Sequence, residues 1–277
     1  MSKISQYIFR AGELYVLKDN TLPAEIPSCF ADMIQDSLDL CLVGQPSRAI
    51  LLKAPNVSVN GATSNGYNSN YPESLDDQAP GTWTMLRELI SSSDSRLKAL
   101  AAPAFRSLGL LNWHSTTRFC AACGSPLSDH PKELARLCPN CRTIVYPRIS
   151  PAIIVLVQKD DMILLARHSY RNQNIFSCLA GFLEHGETLE ECVAREVYEE
   201  TKLKIDNIRY AGSQSWPYPD QFMTAFYADW KSGEIHIDPA ELLEAKWFKR
   251  TALPSHPGPG TVAWRLIHGD FLLRGKN

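Results

Sequence analysis

Arg195 is followed by three glutamates, Glu196, Glu199 and Glu200, in a run that opens at Gly181 and reads GFLEHGETLEECVAREVYEETKL to Leu203. Thr188 and Glu191 have the Thr-x-x-Glu spacing of a capping box, which predicts a helix beginning at Thr188. At about 100° per residue, Glu196, Glu199 and Glu200 share the arc of Leu189, Cys192 and Val193, the side that faces an interior. Glu190, Glu191 and Tyr198 point elsewhere. Carboxylates crowded at the edge of a core repel one another and lose hydration, which raises their pKa values unless cations are present. Hard divalent ions with oxygen ligands meet that need, so the spacing predicts a metal-dependent phosphate site. Glu196 and Glu200, i,i+4 neighbours, are the expected metal ligands. Glu199 is either a third ligand or the group that orients water, and Arg195 pairs with Glu187 or Glu199 to fix the carboxylates. The competing reading is a solvated acidic helix with pairs such as Arg195 with Glu199. Gly181 and Gly186 weigh against it, because they build a tight strand–loop–helix junction where backbone can approach a ligand.

A second constellation is sulfur-based. Cys120-x-x-Cys123 and Cys138-x-x-Cys141 are separated by fourteen residues, the spacing of a zinc ribbon whose two knuckles offer four thiolates to one tetrahedral Zn²⁺. Gly124 and Asn140 suit the tight turns of such knuckles. Two disulfides are the alternative, at odds with a reducing compartment. With four protein ligands the ion is closed to substrate and structural. Cys29, Cys41, Cys178 and Cys192 sit among apolar neighbours and read as small core residues.

The chain that must position these groups has 277 residues, 44% hydrophobic and 21% charged, with a formal net charge of −2. It is long enough for more than one domain, and no global basic field recruits nucleic acid or membrane. The first twenty residues carry no sustained apolar run, so neither a signal peptide nor a transmembrane segment is expected, and a cytoplasmic location is the default. Residues 1–115 read as a small α+β domain, with strands at Tyr7–Phe9, Leu14–Leu17 and Ala49–Lys53. A long Asn/Ser/Gly-rich loop covers Asn56 to Asp77, and helices are expected over Trp83–Ser91 and Arg96–His114. Residues 116–148 hold the ribbon. In residues 149–277, strands are expected at Ala152–Val157, Met162–Ala166, Phe176–Ala180, Ile208–Gly212, Met223–Asp229 and Ala245–Phe248. The glutamate helix and a last helix over Thr261–Leu273 complete an α/β fold, an α/β/α sandwich around a mixed sheet.

Gly181, five residues, Glu187, seven residues, Arg195-Glu196-Val197, one residue, Glu199-Glu200, two residues, Leu203 closely resembles the Nudix box. One position departs: Lys202 stands where the family has the glycine that ends the helix in a left-handed turn. A lysine there suits the negative end of the helix dipole. Downstream, Ser213-Gln-Ser-Trp216-Pro-Tyr218-Pro-Asp-Gln221 is similar to the Ser-Gln-Pro-Trp-Pro-Phe-Pro-x-Ser element of the NADH pyrophosphatase branch. Ser215, Tyr218 and Gln221 depart from that pattern. A ribbon just upstream is the other mark of the branch.

The resemblance implies hydrolysis of the pyrophosphate linkage of NADH or NAD to AMP and nicotinamide mononucleotide. In some members it implies removal of NAD caps from RNA 5′ ends. It also implies a catalytic Mg²⁺ or Mn²⁺ and a homodimer whose active sites draw on both protomers. Carried over residue by residue, the Ala180 carbonyl and Glu241 join Glu196, Glu199 and Glu200 around the metal. From spacing alone, Glu241 and Glu244 are ordinary acids on a short helix, and which glutamate acts as general base is open. Arg87, Glu133, Tyr146, Gln214, Ser215, Trp216, Pro217, Tyr218, Pro219, Asp220, Gln221 and Ala263 fall at substrate-contacting positions.

Phe182, Tyr146, Trp216 and Tyr218 could offer flat faces to the nicotinamide and adenine rings, with core packing as the plainer role. Pro217 and Pro219 are expected to hold their segment extended and out of a central strand. An RNA track requires clustered cations, and Arg136, Arg142 and Arg148 around the ribbon form the local cluster. A non-catalytic NAD-sensing module is a further alternative; the intact Glu196-x-x-Glu199-Glu200 set speaks against it.

Overall fold

The computed structural model describes residues 4–10, 12–42, 45–52, 80–169 and 174–271. By backbone contacts the chain divides into two compact units. One comprises residues 1–149 together with Pro217–Asp220; the other comprises Ser150–Trp216 and the residues from Gln221 onward.

In the first unit, β1 (Ser5–Arg10), β2 (Glu13–Leu17), β3 (Ile34–Leu42), β4 (Gln45–Leu52) and β5 (Gly81–Met85) form a sheet in the order β3-β4-β1-β2-β5. Two helices, α1 (Leu86–Ser91) and α2 (Ser95–Thr116), follow, and the ribbon adds a small sheet of β6 (Ser128–Asp129), β7 (Arg136–Leu137) and β8 (Ile144–Val145). The helix expected from Trp83 therefore begins only at Leu86. Trp83 pairs instead with Tyr15 across β5 and β2, and its ring lies 5.1 Å from that of Tyr15 and 5.5 Å from that of Phe30. Burial of an aromatic cluster outweighs the local helical pattern. Strand β3 was not anticipated, since IQDSLDLCL interrupts its apolar positions with acids and a serine. The loop expected over Asn56 to Asp77 lies outside the described residues, as do Lys53 of the third expected strand and the side chain of Cys41. Asp94 caps α2 by accepting from the backbone N–H groups of Arg96 and Leu97. At its other end, His114 bonds Asp36 of β3 at 2.8 Å and Asp129 of the ribbon at 2.9 Å, and Arg136 approaches the same ring. The hydrogen bond to Asp36 raises the His114 pKa.

The second unit is built on β9 (Ser150–Lys159), the expected Ala152 strand extended at both ends. Strand β13 (Gln221–Ser232) runs parallel to it on one side. On the other side β10 (Met162–His168) and β11 (Leu179–Phe182) pair antiparallel with its two halves. With β12 (Lys204–Trp216) and β14 (Leu242–Lys249), the order is β12-β13-β9-β10-β14. The period-2 alternation of β9 explains its central place. Ala152, Ile154 and Leu156 face one core together with Val262, Ala263 and Leu266 of helix α4 (Val262–Ile267). Ile153, Val155 and Val157 face another with Cys192, Val193 and Val197 of helix α3 (Leu189–Thr201). This is the expected α/β/α sandwich around a mixed sheet.

Other expectations shift as well. Strand pairing begins at Leu179 rather than Phe176, with Ser177 making a single bridge to Ala166. The last helix spans Val262–Ile267, and Leu273 lies outside the described residues. Glu241 sits in a turn and Glu244 in β14, so neither lies on a helix. Asp238 ends the irregular approach, and its N–H bonds the Glu200 carbonyl at 3.2 Å. Among the described residues no helix is long and apolar enough to cross a membrane.

Candidate active site

Helix α3 starts where the capping box predicts. The Thr188 hydroxyl accepts from the Glu191 N–H, and the Glu191 carboxylate accepts from the Thr188 N–H. It ends at Lys202, which adopts φ 60° and donates its N–H to the Tyr198 carbonyl at 2.8 Å. The left-handed cap thus survives without glycine, at a cost of about 1 kcal/mol.

Between these ends the helix carries Glu196 and Glu200 into the protein, 8% and 2% exposed. Glu199, expected on the same arc, is instead 57% exposed at its side chain and turns to Arg195. Glu190, Glu191 and Tyr198 face solvent as expected. The guanidinium of Arg195 organises the cluster. Its Nε and Nη2 donate to the two oxygens of Glu187 at 2.6 and 3.0 Å. Its Nη1 donates to Glu196 and Glu199 at 2.9 and 3.0 Å, and Nη2 also donates to the Phe182 carbonyl at 3.0 Å. Arg195 therefore pairs with both expected partners and with Glu196 as well. Its hydrogen bonds hold the Glu187 carboxyl down at about 2.

Glu196 and Glu200 behave differently. Burial raises both, with Arg195 opposing the rise at Glu196. At Glu200, burial, the charges of Glu196 and Glu241, and a hydrogen bond with Glu241 push the carboxyl up to about 8. One Glu200 oxygen, Oε2, is buried with no hydrogen-bond partner. A buried carboxyl oxygen left without a partner fits a hard cation, because the missing partner and the excess charge are supplied together.

Gly181 shows how closely the elements meet. A Cβ placed on it would fall 1.8 Å from the Glu196 carboxyl carbon, so β11 at Ala180–Gly181 passes directly over that carboxylate. Gly186 has φ +93° with open space around it; there the requirement is the turn itself.

The sulfur set is tighter. The four Sγ atoms of Cys120, Cys123, Cys138 and Cys141 lie within 4.8 Å of one another, and among the described residues no other group of three or more His, Cys, Asp or Glu ligand atoms draws that close. Three of the sulfur pairs are 3.5 Å apart. That is far beyond a disulfide bond of about 2.05 Å and close to the ~3.8 Å edge of a tetrahedron with Zn–S bonds of about 2.3 Å. The knuckles repeat each other. Cys120 and Cys138 donate N–H to Ser125 and Thr143 carbonyls, and Gly124 and Arg142 donate back to Cys120 and Cys138. Asn140 lies in the second turn as expected, while the left-handed positions are taken by Gly124 and Arg142. Hydrogen bonds from Ser125 pull the Cys123 thiol down to about 6, which favours the thiolate that zinc requires.

The remaining expected residues separate by unit. Tyr146 donates its hydroxyl to Glu133 at 2.9 Å, both exposed beside the ribbon, and Arg87 is exposed on α1. Phe182 presents an exposed ring at the end of β11. Gln214 donates to the Gly260 carbonyl at 3.1 Å and accepts from the Val262 N–H at 2.7 Å, tying β12 to the loop just before Ala263. Trp216 packs partly into the core that contains α4, so its plainer role holds in part; Ser215 is exposed and Gln221 half-buried. Pro217–Asp220 forms the four-residue turn of the β12–β13 hairpin, with Trp216 paired to Gln221 and a cis Tyr218–Pro219 peptide. The prolines therefore close a turn and do not extend the segment. The expected basic cluster is mostly neutralised: Arg136 pairs with Asp129 and Arg148 with Asp220. Asn112, which holds the hairpin turn, was missed, because one polar residue on a long helix carries no spacing signal.

Residues 115–146 match the NADH pyrophosphatase zinc ribbon domain, and residues 147–265 match the NUDIX domain. A region matching that ribbon model thus lies immediately before a region matching the Nudix model. It is 51% identical over 164 residues to proteins of Salmonella heidelberg strain SL476 and Salmonella typhi, each described as an NAD-capped RNA hydrolase NudC. These alignments span 59% of this chain and 64% of each relative. Among solved structures, a Nudix hydrolase from Nitrosomonas europaea is similar over 57% of this chain and 89% of its own, at 26% identity and a TM-score of 0.48.

Two outcomes follow from this geometry. Elemental analysis of the purified protein should give one zinc per chain, falling to none in Cys138→Ser; unchanged zinc in that variant would contradict the assignment. The second concerns pH. A carboxyl at about 8 in the fold, against 4.5 ordinarily, keeps its proton after the unfolded chain has lost it. Its contribution is fully present below pH 4.5 and is lost as pH rises through 8. In protein dialysed free of magnesium and manganese, the melting temperature of the wild type should fall between pH 5 and 8.5 relative to Glu200→Gln, by on the order of 5 °C. Parallel curves for the two proteins would show that Glu200 is not so perturbed.

Proposed function

We propose that this protein hydrolyses the pyrophosphate bond of NADH and NAD, giving AMP and nicotinamide mononucleotide. The observation that carries the reading is the buried Glu196–Glu200 pair with its unpartnered Glu200 oxygen, under a backbone that leaves no room for a side chain at Gly181. Glu196, Glu200 and Glu241, with Glu199 and the Ala180 carbonyl, would hold Mg²⁺ or Mn²⁺. When bound, such an ion neutralises phosphoryl charge and makes water a better nucleophile at neutral pH.

The chain's own residues do the rest. Arg195 fixes Glu187, Glu196 and Glu199 from one guanidinium, so the carboxylates are ordered before substrate arrives. Glu199, the most solvated of them, would serve either as that further ligand or as the group that orients the attacking water. Water adds its oxygen to one phosphorus, the bridging P–O bond breaks, and the bridge oxygen leaves with the other phosphorus. The proton lost by water passes to a carboxylate or to solvent. Of the expected substrate-contacting residues, the second unit carries Phe182, whose exposed ring suits a base, together with Gln214, Ser215, Trp216, Gln221 and Ala263; the first unit carries Arg87, Glu133, Tyr146 and Tyr218.

A second reading is removal of an NAD cap from RNA, favoured by the description of the Salmonella relatives. The pairing of Arg136 and Arg148 with acids gives little support to a strong basic track. A kcat/KM for NAD-capped RNA that falls steeply with salt would favour it, and a flat response would not. Exposed Phe119, Ile144, Tyr146 and Ile149 around the ribbon support a homodimer, in which light scattering reports the mass of two chains and not one. Four paired thiolates suit a reducing, cytoplasmic setting.

The decisive assay incubates the protein with NADH and Mg²⁺ and separates the products. AMP and reduced nicotinamide mononucleotide should appear, and Glu200→Gln should lower kcat by at least about a hundredfold with the fold retained. Intact NADH after long incubation, or a fully active Glu200→Gln, would overturn the reading.

A further inference from the structure

Pro217 and Pro219 have no N–H, so neither can donate a hydrogen bond within the hairpin turn, while each still offers a carbonyl acceptor. Their carbonyls are ordered from outside. The side-chain nitrogen of Asn112, on α2, donates to the Pro217 carbonyl at 3.3 Å and to the Pro219 carbonyl at 3.4 Å. Three residues earlier the same helix carries Gly109, where even a Cβ would lie 3.6 Å from that of Pro217, so the helix surface approaches the proline closely. At the far end of the turn, Arg148 donates to Asp220 at 2.7 Å, and the Asp220 carboxylate is only 11% exposed. One carboxamide therefore fixes the peptide planes that enter Tyr218 and leave Pro219, while a guanidinium holds the last residue. All of these groups belong to one compact unit.

We infer that Asn112 is a positioning residue for dinucleotide binding: α2 holds the Trp-Pro-Tyr-Pro turn in its binding shape through the two prolyl carbonyls, with Arg148 as the counterpart at Asp220. The inference rests on the reading that this turn contacts substrate. It gives the helix before the ribbon a task in recognition, separate from the carboxylates that do the chemistry. A turn ordered in advance spares substrate the ordering cost on binding. Loss of Asn112 is thus read in KM, while kcat, set by Arg195 and the glutamates, stays put.

The test uses the full chain with NADH and Mg²⁺. Asn112→Leu removes both donors at similar volume, and Asn112→Asp keeps the shape while facing two carbonyls with an acceptor. Either folded variant, checked by its circular dichroism melt, should show a KM about tenfold higher, the loss expected from two ordinary hydrogen bonds. Its kcat should stay within about twofold of wild type. Hydrogen exchange followed by mass spectrometry should show faster exchange in the peptide covering residues 213–222. If the wild type cleaves NADH but the folded variants keep both its KM and its exchange rate, the inference fails and the proposed activity stands. If the wild type leaves NADH intact while the variants loosen the turn, Asn112 still orders the turn, but the binding role fails together with the activity.

Discussion

A carboxyl group buried to 2% exposure with one oxygen lacking any partner is the constraint on which the rest of the site depends. Such an atom costs about 1–3 kcal/mol when left unsatisfied, and more if its group is charged. Nothing in the α/β/α sandwich requires an acid at Glu200; Val193 and Val197 show what an ordinary position on that face of α3 looks like. Two other acids, Glu196 and Glu241, are gathered beside it and add to that cost. That gathering destabilises the metal-free protein and makes sense when a divalent cation is the missing partner.

The surrounding structure can be understood as the means of keeping that group in place. The capping box fixes the start of α3 at Thr188, and Lys202 accepts a left-handed conformation to end it on time. Strand β11 pairs with β9 from Leu179 to Phe182 and brings Gly181 across Glu196, where any side chain would collide. Arg195 spans the gap between the loop at Glu187 and the helix, and its contact with the Phe182 carbonyl ties both to β11. The ribbon reaches rigidity by other means: paired knuckles converge four sulfurs with almost no hydrophobic core of their own, since Cys120, Leu127 and Cys138 are its buried cluster. A small module of this kind depends on its ion.

Much of this was legible in the sequence because the signals are short-range. Capping box, helical arc and cysteine spacing each operate over a short stretch of chain, and the continuous apolar run Ala152–Val157 declared a buried strand. Legibility failed where distant contacts decide. Nothing local marked Arg142 for the left-handed position of the second knuckle; Glu199 shared an arc with Glu196 yet turned outward to the guanidinium; Trp83 left a helical pattern to join Tyr15 and Phe30. The prolines of the hairpin turn read as a stiff extended segment because proline fixes φ without saying whether the chain reverses. Asn112 could not be found at all, since its partners lie more than a hundred residues away.

The central claim is that the paired acids are built around a dication, and manganese offers the most direct test because its free aqueous ion gives a resolved electron paramagnetic resonance spectrum that fades on binding. Titrated with Mn²⁺, the wild type should remove ion from solution. Gly181→Ala, which retains every carboxylate and only displaces Glu196, should bind far more weakly, with its zinc content unchanged. Manganese uptake by Gly181→Ala equal to that of the wild type, or none by either protein, would contradict the account.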